Sequence, residues 1–258
     1  MKRWSVKCAV WALVAAAGAG TLSAQAVTPP ATPNTARMTR AEKKNLDLVL
    51  DWWREVIESG HVELAPKYQA ADYIQHNPNV STGRAAFVQF FSRIGRPRNP
   101  IPSTLQHPPV VMGAKGDFVW LMFENRQRDP RDSTRTSRFN SFDLLRIQHG
   151  KVQEHWDSAR KMPGSGVVVA GVSPRAPMQW NVGKRSKEER ETLAAATASI
   201  KDQAQSGPPV LMLIDGPYAL MMWERTARDP DDPAREYQWH HFDLIRVERG
   251  VIQEHWAD

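Results

Sequence analysis

Apolar residues in the first part of the chain recur with the period of a helix. Leu46, Val49, Leu50, Trp53 and Ile57 stand three or four positions apart, the spacing that gathers side chains on one helical face. Thr39-Arg40-Ala41-Glu42 precedes them with the form of a capping box, in which a hydroxyl and a carboxylate each satisfy a backbone N–H at the helix start, and Gly60 marks the end. A short second helix is predicted over 63–69. The segment Asp72-Tyr73-Ile74-Gln75-His76-Asn77-Pro78 follows, and then a third helix over 83–94 with Phe87, Phe90, Phe91 and Ile94 on one face. Pro97, Pro100, Pro102, Pro108 and Pro109 close this helical half.

From Val110 the period changes to two. Strands are predicted over 110–112, 118–126, 137–147 and 152–159, joined by turns at Lys115-Gly116, Asp129-Pro130 and His149-Gly150. Helices followed by antiparallel strands specify an α+β domain in which helices cover one face of a curved sheet. The strand pattern then repeats: residues 107–158 align with 207–258 without a gap, and 21 of the 51 pairs from Pro108/Pro208 onward are identical. Self-similarity at a fixed offset means one unit used twice. Only the strands repeat. Before the second copy stands a single helix over 186–205, with a Ser186/Glu189 capping box and a thin apolar face of Leu193, Ala196 and Ile200. The chain thus reads as a complete domain over 39–162, a Pro- and Gly-containing linker over 163–186 and a partial repeat over 187–258.

The N-terminus concerns the compartment. Lys2, Arg3 and Lys7, an apolar stretch from Cys8 to Leu22 and the small-residue site Ala24-Gln25-Ala26 read as a secretory signal over 1–26. The apolar run is shorter than the roughly 20 residues a membrane span needs, so a periplasmic or secreted protein without an anchor is expected. Residues 27–38, with three prolines and no apolar period, read as a disordered leader. Removal of the signal takes away Cys8, the single cysteine, which excludes disulfides, thiol catalysis and cysteine metal sites. It also takes three of the 34 basic residues and none of the 28 acidic ones, so the net charge falls from +6 to 31 − 28 = +3. No basic stripe favours a nucleic-acid partner.

The order of helices, then D-Y-I-Q-H-N-P, G-R-x-x-F-x-x-F-F and F-D-L-L-R-I-x-x-G-K-V-x-E-H-W-D, resembles the SnoaL-like polyketide cyclases of the nuclear transport factor 2-like superfamily over about residues 40–160. The second copy matches the final strands alone. The resemblance implies a cone, a bent antiparallel sheet wrapped on helices around an apolar pocket. It further implies a pocket aspartate acting as acid/base on a small carbonyl-containing or apolar molecule, with no metal or cofactor. Domains of this superfamily often dimerise sheet against sheet. The same apposition within one chain, an intramolecular pseudo-dimer with an approximate two-fold axis, would cover Met221, Met222, Trp223, Trp239 and Trp256.

Pairing Ile147 with Val152 across the His149-Gly150 turn, with unbroken alternation, puts Phe139, Ser141, Asp143, Leu145, Glu154 and Trp156 on one face and Arg146 and His155 on the other. Asp143 beside an indole on an apolar face would be desolvated, and the acid/base role implied by the resemblance is carried over to it. His76 is the second catalytic candidate, as proton carrier or as donor to a substrate carbonyl. Trp120, Phe139, Glu154 and Trp156 are the candidate substrate-binding residues. His155 is expected to be structural. No metal site is expected, His240 and His241 being adjacent rather than helically spaced. Two classes of function stay open: an exported cofactor-independent lyase, isomerase or cyclase, and a non-catalytic periplasmic module that binds a ligand or a protein.

Overall fold

The computed structural model describes residues 37–94, 97–128, 132, 134–167, 184–202 and 207–258. The expected signal, nearly all of the leader, the Asp129-Pro130 turn and most of the linker lie outside the described residues. Helix α1 (Arg40–Trp52) starts on the predicted capping box, with Thr39 and Glu42 each bonding the other's backbone N–H, and runs on through a π-helical turn over Trp53–Glu58. A 3-10 turn at Val62–Leu64 and the short α2 (Ala65–Tyr68) lead into β1 (Gln69–Gln75), and α3 (Arg84–Arg93) follows. The segment holding Tyr73, Gln75 and His76 is therefore a strand and its exit.

Strands β2 (Val111–Lys115), β3 (Phe118–Arg128), β4 (Thr136–Gln148) and β5 (Lys151–Asp157) form an antiparallel sheet. β1 pairs with β5 in parallel and completes the order β1-β5-β4-β3-β2. After α4 (Lys187–Asp202), β6 (Leu211–Asp215), β7 (Tyr218–Arg228), β8 (Glu236–Glu248) and β9 (Val251–Ala257) form a second sheet, β6-β7-β8-β9. The β4–β5 turn holds His149 and Gly150 at φ 51° and 68°, and Arg249 and Gly250 repeat it at 53° and 77°. Two successive left-handed residues give the twist a two-residue hairpin needs.

Three apolar layers hold these elements in the order helices, sheet, sheet, helix. Leu46, Val49, Trp52, Tyr73 and Phe87 pack on Val119, Leu121, Phe123, Leu145 and Ile147 of the first sheet. Its other face, Val111, Trp120, Met122, Phe142, Leu144 and Trp156, meets Leu211, Leu213, Leu220, Met222, Phe242 and Leu244 of the second sheet. Five of these positions occur in both copies (111/211, 120/220, 122/222, 142/242 and 144/244), and Phe142 stacks on its own counterpart Phe242 with ring centroids 5.6 Å apart. Ala196 of α4 covers Ile214, Met221, Trp223 and Ile245 on the far side.

Helix α4 corrects the expectation that only the strands repeat. Its Ser186/Glu189 capping box forms as predicted, and it docks on the β6–β7 turn as α1 docks on the β2–β3 turn. Glu42 accepts from the Gly116 N–H at 2.8 Å and Asn45 donates to the Gly116 carbonyl. Glu189 likewise takes the Gly216 N–H, and Thr192 donates to the Gly216 carbonyl at 2.9 Å. The helix counterparts are 147 positions apart (42/189) and the strand counterparts 100 (116/216). The second copy is thus shorter by 147 − 100 = 47 residues, the stretch that in the first copy holds α2, β1 and α3.

Because the box carboxylate of α1 serves two backbone donors at once, Glu42→Ala is expected to cost about 1–2 kcal/mol, read as a lower midpoint in chemical denaturation.

Candidate active site

Asp143 lies inside the first unit, on the face of β4 that meets the helices. It pairs in register with Leu121 on β3 and Asp157 on β5. His155 Nε2 stands 2.8 Å from its Oδ1, and both side chains are less than a tenth exposed. The imidazole is held from behind: Nδ1 meets the Tyr73 hydroxyl at 3.2 Å and the Gln75 side-chain amide at 3.3 Å, and Trp52 packs edge-on against the ring. Fixing Nδ1 turns Nε2 toward the carboxylate. Burial pushes the Asp143 carboxyl above its ordinary range, His155 pulling the other way and Asp157 adding to the rise.

This arrangement corrects the expected faces. Ile147 does pair with Val152, but Arg146 pairs with Glu154, so Gln153 is an extra residue in β5. Such a bulge leaves one residue unpaired and shifts every later side chain to the opposite face. His155 therefore joins Asp143, while Glu154 and Trp156 turn to the second sheet. The same bulge recurs at Gln253, between Val247↔Ile252 and Arg246↔Glu254. Gln-Glu-His-Trp stands in both copies; alternation counted from the turn could not show the bulge.

His76 follows its own partners to that outer face. Its Nε2 is 2.9 Å from Glu154 Oε1, its ring stacks on Trp156 at 4.6 Å, and His240 of the second unit stands edge-on at 5.7 Å. Arg146 holds the other Glu154 oxygen at 2.8 Å, and His76 with Arg146 outweighs burial to lower the Glu154 pKa. Glu154, Trp156, Trp120 and His76 are thus packed between the sheets, away from Asp143, and Phe139 stands 40% exposed on β4. None of the five lines one site with Asp143.

The residues that do surround the Asp143–His155 pair stand in the segment Asp72-Tyr73-Ile74-Gln75-His76-Asn77-Pro78, on either side of His76. Alternation along β1 directs Tyr73 and Gln75 inward, one step from His76. Asn77 donates to Asp157 Oδ2 at 2.7 Å. Asp143, His155 and Asp157 each offer one ligand atom within 4.8 Å of the others, a donor set of hard oxygens and one imidazole that a divalent cation could use.

Residues 49–155 match the SnoaL-like domain family. No curated protein matches the chain. Among solved structures, IdmH from Streptomyces antibioticus is 18% identical with a TM-score of 0.32, over 44% of this chain and 89% of that one. An epoxide hydrolase of the LEH-like type from M. tuberculosis is 12% identical with a TM-score of 0.33, over 45% and 83%. An NTF2-like protein from Mesorhizobium loti is 14% identical with a TM-score of 0.32, over 46% and 93%.

Proposed function

Since residues 49–155 match the SnoaL-like domain family, we propose that the first unit converts a small carbonyl-containing molecule by acid/base chemistry of its own side chains, as a lyase, isomerase or cyclase. The observation that carries this reading is a desolvated carboxylate, Asp143, 2.8 Å from an imidazole whose far nitrogen is fixed. A carboxylate with a raised pKa removes a proton from the carbon beside a carbonyl, and as the acid returns it to another atom of the same molecule. His155 bonds the carboxylate and aims it. Tyr73 and Gln75 hold His155, and Trp52 keeps water from the pair. Asp157, paired with Asp143 across the strands and held by Asn77, is half-buried, and substrate enters past it in this reading. His76 is not part of the reaction.

Two further statements belong to this proposal. The mature chain is exported, with Val27 as its first residue, which the mass of the N-terminal peptide from a secreting host would establish or refute. The two units form an intramolecular pseudo-dimer about an approximate two-fold axis near the Phe142–Phe242 stack, and the second unit covers the first.

The test is Asp143→Asn in the full chain, assayed against small β-dicarbonyl and polyketide-like compounds. The amide keeps the shape of the carboxylate and cannot exchange its proton, so turnover of whichever compound the parent converts should fall about 10²–10⁴-fold with circular dichroism unchanged. Parent turnover in the variant, or a parent that binds such compounds without converting them, would leave Asp143 and His155 a structural pair in a binding module.

A further inference from the structure

The Asp143–His155 pair has a counterpart that is not closed. In the second unit, His255 Nε2 lies 3.3 Å from Asp243 Oδ1, reached over the same Gln253 bulge. The side chain of His255 is 46% exposed, against 8% for His155, while Asp243 remains 3% exposed. The cause is the 47-residue shortening. It removes the counterparts of β1 and α3, hence of Tyr73 and Gln75, which close over His155 Nδ1 in the first unit. The edge of β9 is open as well, with Val251 59% exposed.

The second unit has also changed what stands behind its aspartate. Ser141 and Ser158 of the first copy are His241 and Asp258 in the second. His241 Nε2 is 3.5 Å from Asp243 Oδ1, and His241 Nδ1 is 2.9 Å from Asp258 Oδ1. Asp258, His241, Asp243 and His255 thus follow one another as carboxylate, imidazole, carboxylate and imidazole, and His255 has the most exposed side chain of the four. Trp223 and Trp239 stand against His241 at 5.7 and 6.3 Å. Asp157 of the first unit is Ala257 here, so the three-ligand spacing of the first site is not repeated.

We infer that the second unit holds its own acid/base centre, with His255 as the proton-exchanging end, open from the solvent to small carbonyl and ester compounds. A carboxylate behind an imidazole raises its basicity and holds its orientation, the arrangement by which histidine removes a proton from a hydroxyl or from water. Asp243 raises the pKa of His255, and Asp258 together with Asp243 raises that of His241, which also feels Arg225. The inference rests on the second unit alone and does not require Asp143 to be catalytic.

The probe is 4-nitrophenyl acetate, with the full chain. Neutral His255 takes a proton from water as the water oxygen bonds the ester carbon; the ester C–O bond breaks and 4-nitrophenolate leaves, and His255 gives the proton up again, so ester and water give acetic acid and 4-nitrophenol. His255→Ala should lower the protein-dependent rate about tenfold. His149→Asn, a change at an exposed histidine of a turn, should leave it at the parent value. Asp243→Asn should move the acid limb of the rate profile to lower pH. In the unaltered chain the His255 ring should titrate by NMR above the ordinary histidine value of 6.5, and in Asp243→Asn it should not. A His255→Ala rate equal to the parent's, or a His255 titration no higher than 6.5, would overturn the inference. The second result needs no folded variant.

Discussion

A chain ended after Lys161 is expected to self-associate or precipitate at concentrations where the full chain stays dispersed. The truncation bares Val111, Trp120, Met122, Phe142, Leu144 and Trp156, all buried against the second sheet. Each such side chain gains about 1.5–3 kcal/mol on burial, and together they form a contiguous patch larger than a soluble monomer usually leaves in water. Lys161 loses its ion pair with Asp229, and Arg160 its place over the Trp239 ring. A homodimer that restores the sheet-on-sheet contact would agree with the pseudo-dimer reading. Sedimentation showing a monomer as stable as the parent would defeat it.

The interface also sets a pH dependence with two opposed parts. His240, buried against His76, has its pKa pushed down to about 3 by burial from an ordinary 6.5, and its Nδ1 has no hydrogen-bond partner among the described residues. Between these values the unfolded chain binds a proton that the folded chain refuses, so stability falls as pH drops from 6.5 to 3. Asp215 has its carboxyl raised by burial from 3.8 to about 6, with Lys115 opposing and Glu42 and Glu189 adding. Its contribution is full below 3.8 and is lost as pH rises to 6. At about 1.4 kcal/mol per pH unit, the two reach about 5 and about 3 kcal/mol and nearly cancel between pH 4 and 6.

Single substitutions separate them. His240→Asn, the residue at position 140 of the first copy, should become more stable as the pH is lowered from 6 to 4. Asp215→Asn should lose stability steadily over that range. Urea denaturation of both variants and the parent at half-unit pH steps measures the slopes, and parallel curves for all three would show that neither group titrates as its surroundings require.

How much of the candidate site could be read from the chain depends on how far each interaction reaches. The face of Asp143 is legible because a strand shows its own alternation: Phe142 and Leu144 face one way and Asp143 and Leu145 the other, whatever the partner strand does; its acid/base role came from the family resemblance alone. His155 was placed wrongly because its face depends on Gln153, and a bulge is a property of two paired strands, not of one. One inserted residue carried Glu154 and Trp156 to the outer face, where His76 at the exit of β1 meets them, whereas Trp120 faces the second sheet because it pairs with Leu144 and not with Asp143.

The sequence by itself determined the elements whose causes are local. The capping boxes at Thr39 and Ser186, the helical face of Leu46, Val49 and Trp53, the His149-Gly150 turn and the duplication of the strands all rest on contacts within a few residues or on repeated letters. The fold class and the family resemblance came with them. Tertiary structure alone decided the rest. That α4 is the counterpart of α1 was hidden because the docking uses the backbone of Gly116 and Gly216, which side-chain identity does not report, and because 47 residues are missing between the helix and the strands. Which histidine meets Asp143 followed from the Gln153 bulge, and which aspartate is buried with its histidine left in water followed from the closing of β1 over one sheet and its absence from the other. Those outcomes depend on pairing between segments far apart in the chain, and no local periodicity encodes a partner.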